Sequence, residues 1–200
     1  MDRYRKLGKN TILFAIGNFA QKIMAFLFVP IYTSVLTTTE YGTIDIITTV
    51  ASMIWPVFTL LINEAIMRFC LDDEIDKSQV FSIGLITNIF GFLIMMFFSP
   101  IILLNEYMKP YYWLFVLYYL AYCIYSVFTY ALRGFQKVEL YSLSGVLNTI
   151  IVISLNILLL LYLKIGIVGY LLSLIISNIV VSIFVFFKAK MYRYVLPFTK

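Results

Sequence analysis

Six long apolar runs, separated by short clusters of charged and turn-forming residues, set the pattern of this chain. They cover residues 11–36, 42–66, 80–104, 111–132, 143–163 and 167–187. A bilayer core of about 30 Å takes roughly 20 residues of helix at about 1.5 Å each, so every run predicts a membrane-spanning helix. The connections are brief: TTTEY after the first span, RFCLDDEIDKSQ after the second, NEYMKP before the fourth, RGFQKVELY before the fifth and KIG before the sixth. None has room for a soluble domain. The expected fold class is all-α, a single polytopic bundle of six transmembrane helices over residues 1–200, with 188–200 as a tail.

Composition narrows the class. Of the 200 residues, 62% are hydrophobic and 12% charged, which excludes a disordered chain and an ordinary soluble domain. Cys70 and Cys123 have no C-x-x-C or metal spacing, so they read as unpaired thiols and not as a disulfide scaffold. The chain has no histidine, which removes the commonest general base and metal ligand and every Ser/His or Cys/His nucleophile pair. With no glycine-rich phosphate loop and no paired carboxylates on one membrane helix face, neither an enzyme nor a cofactor or metal is expected.

Charge gives an orientation. Arg3, Arg5, Lys6 and Lys9 open the chain, but the apolar run behind them is too long for a signal peptide and lacks a small-residue cleavage site, so it stands as the first span. With the N-terminus inside, twelve of the fifteen Lys and Arg fall on the cytoplasmic side, and only Lys109 and Lys164 on the other. Both termini are therefore expected in the cytoplasm, and the net charge of +5 follows from this bias without any nucleic-acid partner. Tyr107, Tyr111, Tyr112 and Trp113 cluster where the fourth span meets the outer interface.

The candidate chemistry lies in polar residues inside the spans. Lys22 stands about 16 Å into the first span, near the midplane. A lysine there costs roughly 2.5 to 3.5 kcal/mol on insertion scales, so it is expected to face protein or water. Asn18, Gln21, Lys22 and Ala25 share its helix face. In the second span Asp45, Thr49, Ser52, Pro56, Thr59 and Asn63 recur every three or four residues, predicting one continuous face about 27 Å long with a kink at Pro56. Glu64 and Arg68 follow at its inner end. Hydroxyls and amides of this kind also bond between packed helices with no transport role. The lysine differs, because a full charge at mid-depth is rarely retained for packing. Asp45 and Glu64 fall near opposite surfaces, neither level with Lys22, and a cation without a level partner suits an anionic ligand such as a phosphate.

Other patterns admit plainer readings. Tyr118, Tyr122 and Tyr125 form an aromatic stripe on the fourth span, able either to pack or to stack on sugars. Gly169, Ser173 and Ser177, and more loosely Gly84, Asn88 and Gly91, make lines of small residues that favour close helix approach. The acidic run Asp72, Asp73, Glu74 and Asp76 reads as a solvated turn.

Taken in order, several stretches resemble polysaccharide flippases of the multidrug/oligosaccharidyl-lipid/polysaccharide exporter superfamily. They are the basic start with Asn18, Pro30 and a short outer turn finishing in Tyr41-Gly42; EAIMRFCLDDEIDKSQVFS at 64–82, with Arg68 and Phe69 opening the turn; YALRGFQKVELYSLSGVLNT at 130–149; and KIGIVGYLLSLIISN at 164–178. The resemblance covers the whole chain. It implies a bacterial inner-membrane carrier that moves an undecaprenyl-diphosphate-linked oligosaccharide between leaflets by alternating access. It also implies two six-helix lobes around a central cavity, of which this chain would be the N-terminal one, so that a second lobe and polysaccharide assembly proteins are expected partners beside lipid-linked oligosaccharide and membrane lipids. The related multidrug antiporters often carry an acidic coupling residue in the first span, which this span lacks. The alternatives are a small-molecule antiporter lobe and a non-transporting scaffold of a polysaccharide assembly complex. The expected cavity residues are Asn18, Gln21, Lys22, Asp45, Thr49, Ser52, Asn63, Glu64, Arg68 and Tyr122.

Overall fold

The computed structural model describes residues 32–72 and 74–195 together with Phe19, Lys22, Ile23, Phe26, Val29 and Pro30. The described residues between 19 and 35 are helical, and this segment is called the leading helix. Most of the first predicted span, with Asn18 and Gln21, lies outside the described residues. Among the described residues five helical runs are long and apolar enough to cross a membrane, and none is a strand.

Helix α1, Thr38–Phe58, starts one turn before the position expected from hydropathy. A capping box sets that start: Thr37 N–H donates to Glu40 Oε2 at 2.8 Å, and Glu40 N–H donates to the Thr37 hydroxyl at 3.3 Å. Tyr41 and Gly42 therefore lie inside α1 and not in a turn before it.

The larger correction concerns the end of this span. The single helix expected over 42–66, kinked at Pro56, instead stops at Phe58 and resumes as α2, Ile62–Phe69. Leu60 and Leu61 sit at φ 51° and 55°, a left-handed conformation that ends a helix. The break lies one turn beyond Pro56, whose carbonyl accepts from Leu61 N–H at 3.1 Å. Gly91 explains how the break is held: a Cβ there would collide with the Phe58 carbonyl, so only a glycine lets the next helix press against this bend.

Asp76 caps α3, Lys77–Phe98, by accepting from Ser78 N–H at 2.8 Å. Short 3₁₀ turns, Ser99–Leu104 and Lys109–Tyr111, lead into α4, Tyr112–Gly134. α5, Val138–Asn156, begins five residues before the expected fifth span and passes into a π-helical stretch, Ile157–Tyr162. α6, Gly166–Lys188, follows, and the 3₁₀ turn Met191–Arg193 closes the described chain.

The core divides along the length of the bundle. Near the Thr37 end, Ile44, Ile47, Ala51 and Trp55 of α1 meet Phe115 and Tyr119 of α4 and Leu171 and Ile175 of α6. Near the Asp76 end, Ile66 of α2 and Phe81 of α3 meet Val127, Ala131 and Leu132 of α4 and Val181 and Val185 of α6. α4 and α6 thus run through both halves, while α1 and α2 each serve one. The outer surface is apolar, with Phe90, Phe97, Leu104 and Trp113 more than half exposed, as a helix bundle in hydrocarbon requires. The chain is an all-helical, multi-pass membrane bundle.

Candidate functional site

Successive helix residues turn about 100°, so the side chains of α1 sort into three faces. Ile44, Ile47, Ala51 and Trp55 form the buried one. Ile46, Met53 and Val57 form an exposed apolar one. Asp45, Thr49 and Ser52 form an exposed polar one, continued by half-buried Pro56. The Ser52 hydroxyl donates back to the Thr49 carbonyl at 2.8 Å, which satisfies that hydroxyl within its own helix. A membrane helix bordering only lipid and protein would have two kinds of surface; the third here is polar and lies within a helix long and apolar enough to cross a membrane.

Lys22 is also exposed. The bundle does not bury its ammonium, and mid-depth hydrocarbon is a costly surrounding for a charge. Asn63, expected on the same face as Asp45 and Ser52, is instead fully buried, because the break after Phe58 rotates α2 away from the phase of α1. It exchanges side-chain amide hydrogen bonds with Asn88 of α3, at 3.1 and 3.4 Å. Thr59 is likewise buried, its hydroxyl donating to the Trp55 carbonyl at 2.8 Å. The expected continuous stripe is therefore two arrays: an exposed one from Asp45 to Ser52, and a buried one in packing.

Glu64 and Arg68 are both exposed on α2. The Tyr130 hydroxyl of α4 donates to Glu64 Oε1 at 3.0 Å, and the Arg133 guanidinium lies 5.3 Å from the Tyr130 ring centre and 5.8 Å from that of Tyr141. From Tyr130 an aromatic series runs back through the bundle: Trp55 at 5.9 Å, Tyr122 a further 5.6 Å away, and Tyr118 at 6.1 Å beyond it. Tyr122 is half-buried and edge-on to Trp55. The Trp55 indole N–H is buried with no hydrogen-bond partner among the described residues.

Trp55, Tyr130, Arg133 and Tyr141 were not among the candidates expected from sequence. Trp55 had a legible signal, since it stands three residues after Ser52 and so borders the polar face on the same helix. The pairing of Tyr130 with Glu64 had none, because residues 66 apart meet only through packing of α2 on α4.

Outside the spans, Lys137 donates to the Ala189 carbonyl at 2.7 Å, and its pKa is pushed below the usual lysine range by burial and secondarily by Lys190. Burial drives the Cys70 thiol up to about 11, partly offset by Lys77, which makes it a poor nucleophile. Among the described residues, no three His, Cys, Asp or Glu side chains are grouped so as to hold a metal.

Residues 7–199 match the family model described as polysaccharide biosynthesis protein. No curated protein and no solved structure matches the chain.

Proposed function

Because the chain belongs to the polysaccharide biosynthesis protein family, we propose that it is one lobe of a carrier that moves an undecaprenyl-diphosphate-linked oligosaccharide across the bacterial inner membrane, with both termini in the cytoplasm. The observation that supports this reading is the third face of α1. Thr49 and Ser52 are exposed in the middle of α1, Asp45 is exposed nearer its outer end, and Lys22 on the leading helix is exposed as well. Against acyl chains such groups would be costly; beside a wet passage they are solvated. The passage is bounded on its other side by a second lobe, and Lys22 supplies the positive charge that a diphosphate needs at depth. The role is transport and not catalysis. Trp55 and Tyr122 stiffen the wall behind the polar face.

The test is labelling of single-cysteine variants in membranes by a charged thiosulfonate. Thr49→Cys and Ser52→Cys are expected to react and to be protected by undecaprenyl-diphosphate-linked oligosaccharide, with Lys22→Ala removing the protection. Met53→Cys, on the lipid side of the same helix, is expected to stay inert. Equal reactivity at 52 and 53, or no protection by the lipid-linked sugar, overturns the reading.

A further inference from the structure

A partly open hollow of about 370 Å³ lies between the leading helix, α5 and α6, with Tyr41 of α1 at its edge. Its size falls in the range of small-molecule sites, which begin at roughly 300 Å³. Tyr32 and Tyr170 stand in it as a right-angled corner, ring centres 5.3 Å apart and planes at 81°. The corner is held from behind: Asn156 Nδ2 donates to the Tyr32 hydroxyl oxygen at 3.0 Å, and the Asn156 carbonyl oxygen lies 2.6 Å from the Ser173 hydroxyl. Asn156 and Ser173 are buried, so this aromatic corner is braced from two helices.

The lining is mixed: Phe26, Val29, Val152, Ile153 and Leu174 make it largely apolar, and Asn148, Thr149 and Tyr41 set a few polar groups among them, as ligand sites do. Asn148 stands ten residues into α5, about 15 Å along it, and so at mid-depth. It donates one N–H to Asn178 Oδ1 at 3.0 Å, a bond that uses one of the two N–H groups an amide carries. The Thr149 hydroxyl donates to the Gly145 carbonyl at 3.0 Å, which leaves its oxygen as an acceptor toward the hollow. Tyr41 at the edge of the hollow stands one helical turn before Asp45, the first residue of the exposed polar face of α1, so the hollow adjoins that face at the Thr37 end.

We propose that this hollow is a subsite for one pyranose ring of the glycan, its apolar face against Tyr170 and its hydroxyls on Asn148, Thr149 and Tyr41. This rests on the carrier reading for the identity of the cargo, and adds to it a sugar contact inside the lobe, beside the passage where the diphosphate meets Lys22. Tyrosine faces suit the C–H side of a sugar, and a fixed amide suits its hydroxyls.

Saturation-transfer NMR on the full chain in a sugar-free detergent tests it, with methyl pyranosides of glucose, galactose, mannose and N-acetylglucosamine as probes and hexyl tetraethylene glycol ether as a sugarless control. At least one pyranoside is expected to show saturable transfer to its ring protons. Tyr170→Ala and Asn148→Leu are expected to weaken it about fivefold or more, and Tyr170→Phe to retain it, in variants whose melting shows them folded. Failure of every pyranoside to bind, transfer that survives both weakening variants, or equal competition by the ether overturns the proposal. The two readings fail separately. Translocation of lipid-linked oligosaccharide undiminished by Tyr170→Ala overturns the subsite and leaves the carrier; sugar binding at the hollow without thiosulfonate protection on α1 overturns the carrier and keeps the subsite.

Discussion

In α6 the residues Gly169, Ser173 and Ser177 recur every fourth position and all three are buried. In α1 Asp45, Thr49 and Ser52 recur at nearly the same spacing and all three are exposed. Periodicity alone does not separate the two, since both are stripes on one face of a helix. Size and partners do. A Cβ added at Gly169 would press on Leu159, and Ser173 meets Asn156, so the α6 stripe is a surface of close approach. The α1 stripe contains a carboxylate, and its hydroxyl at Ser52 is satisfied within its own helix. Polar residues pack when they are small enough to admit a neighbouring backbone, as on α6, and a buried hydroxyl is also met by its own helix, as Thr59 is by the Trp55 carbonyl. A carboxylate such as Asp45 stays outside, because burial would strip its charge of water.

This contrast can be broken most directly at its buried side. Ser173→Leu forces a larger side chain into a fully buried position and removes a partner of Asn156; it is expected to cost about 1 to 3 kcal/mol, read as a lower unfolding midpoint in detergent. The same change at Ser52 should leave the midpoint within about 0.5 kcal/mol, as exposed substitutions usually do. Equal losses at the two positions would erase the distinction. The Asn63 and Asn88 pair comes next. Asn88→Leu leaves a buried amide short of its partner and is expected to cost about 1 kcal/mol, a typical value for a hydrogen bond between membrane helices, while Asn63→Leu with Asn88→Leu recovers part of the loss.

Two smaller effects sharpen the same idea at the Asp76 end. Cys70 is fully buried with its pKa near 11, so alkylation by iodoacetamide at pH 8 should be slow and should accelerate as the pH nears 11. Rapid alkylation at pH 8 would mean that the packing of α2 on Gly134 is looser than described. Lys137 has a folded-state pKa below its ordinary value of 10.5, so the folded state holds this proton less tightly than the unfolded state. Stability relative to Lys137→Gln is therefore expected to rise as pH climbs from the lowered pKa toward 10.5, and to be unchanged with pH well below it. A difference between the two melting temperatures that falls over that range contradicts this assignment.

The membrane class, the small-residue line on α6 and the exposed polar segment from Asp45 to Ser52 were legible in the order of residues. Hydrophobic runs and their spacing are local properties, and a bilayer imposes helix on any such run. The start of α1 is also local, written in the Thr37 and Glu40 pair, whereas hydropathy alone places it four residues later. The break at Leu60 and Leu61 was not local. Two leucines have no preference for a left-handed backbone, and Pro56 marked the wrong turn; the bend exists because Gly91, on another helix, admits the Phe58 carbonyl. That contact decided the burial of Asn63 and moved it from the expected cavity face into the core. The meeting of Tyr130 with Glu64, and of Tyr32 with Asn156 across 124 residues, arises in the same way. The sequence alone determines which residues can live in a membrane. Which of them face one another is decided only when helices pack, because packing joins positions that no stretch of chain contains together.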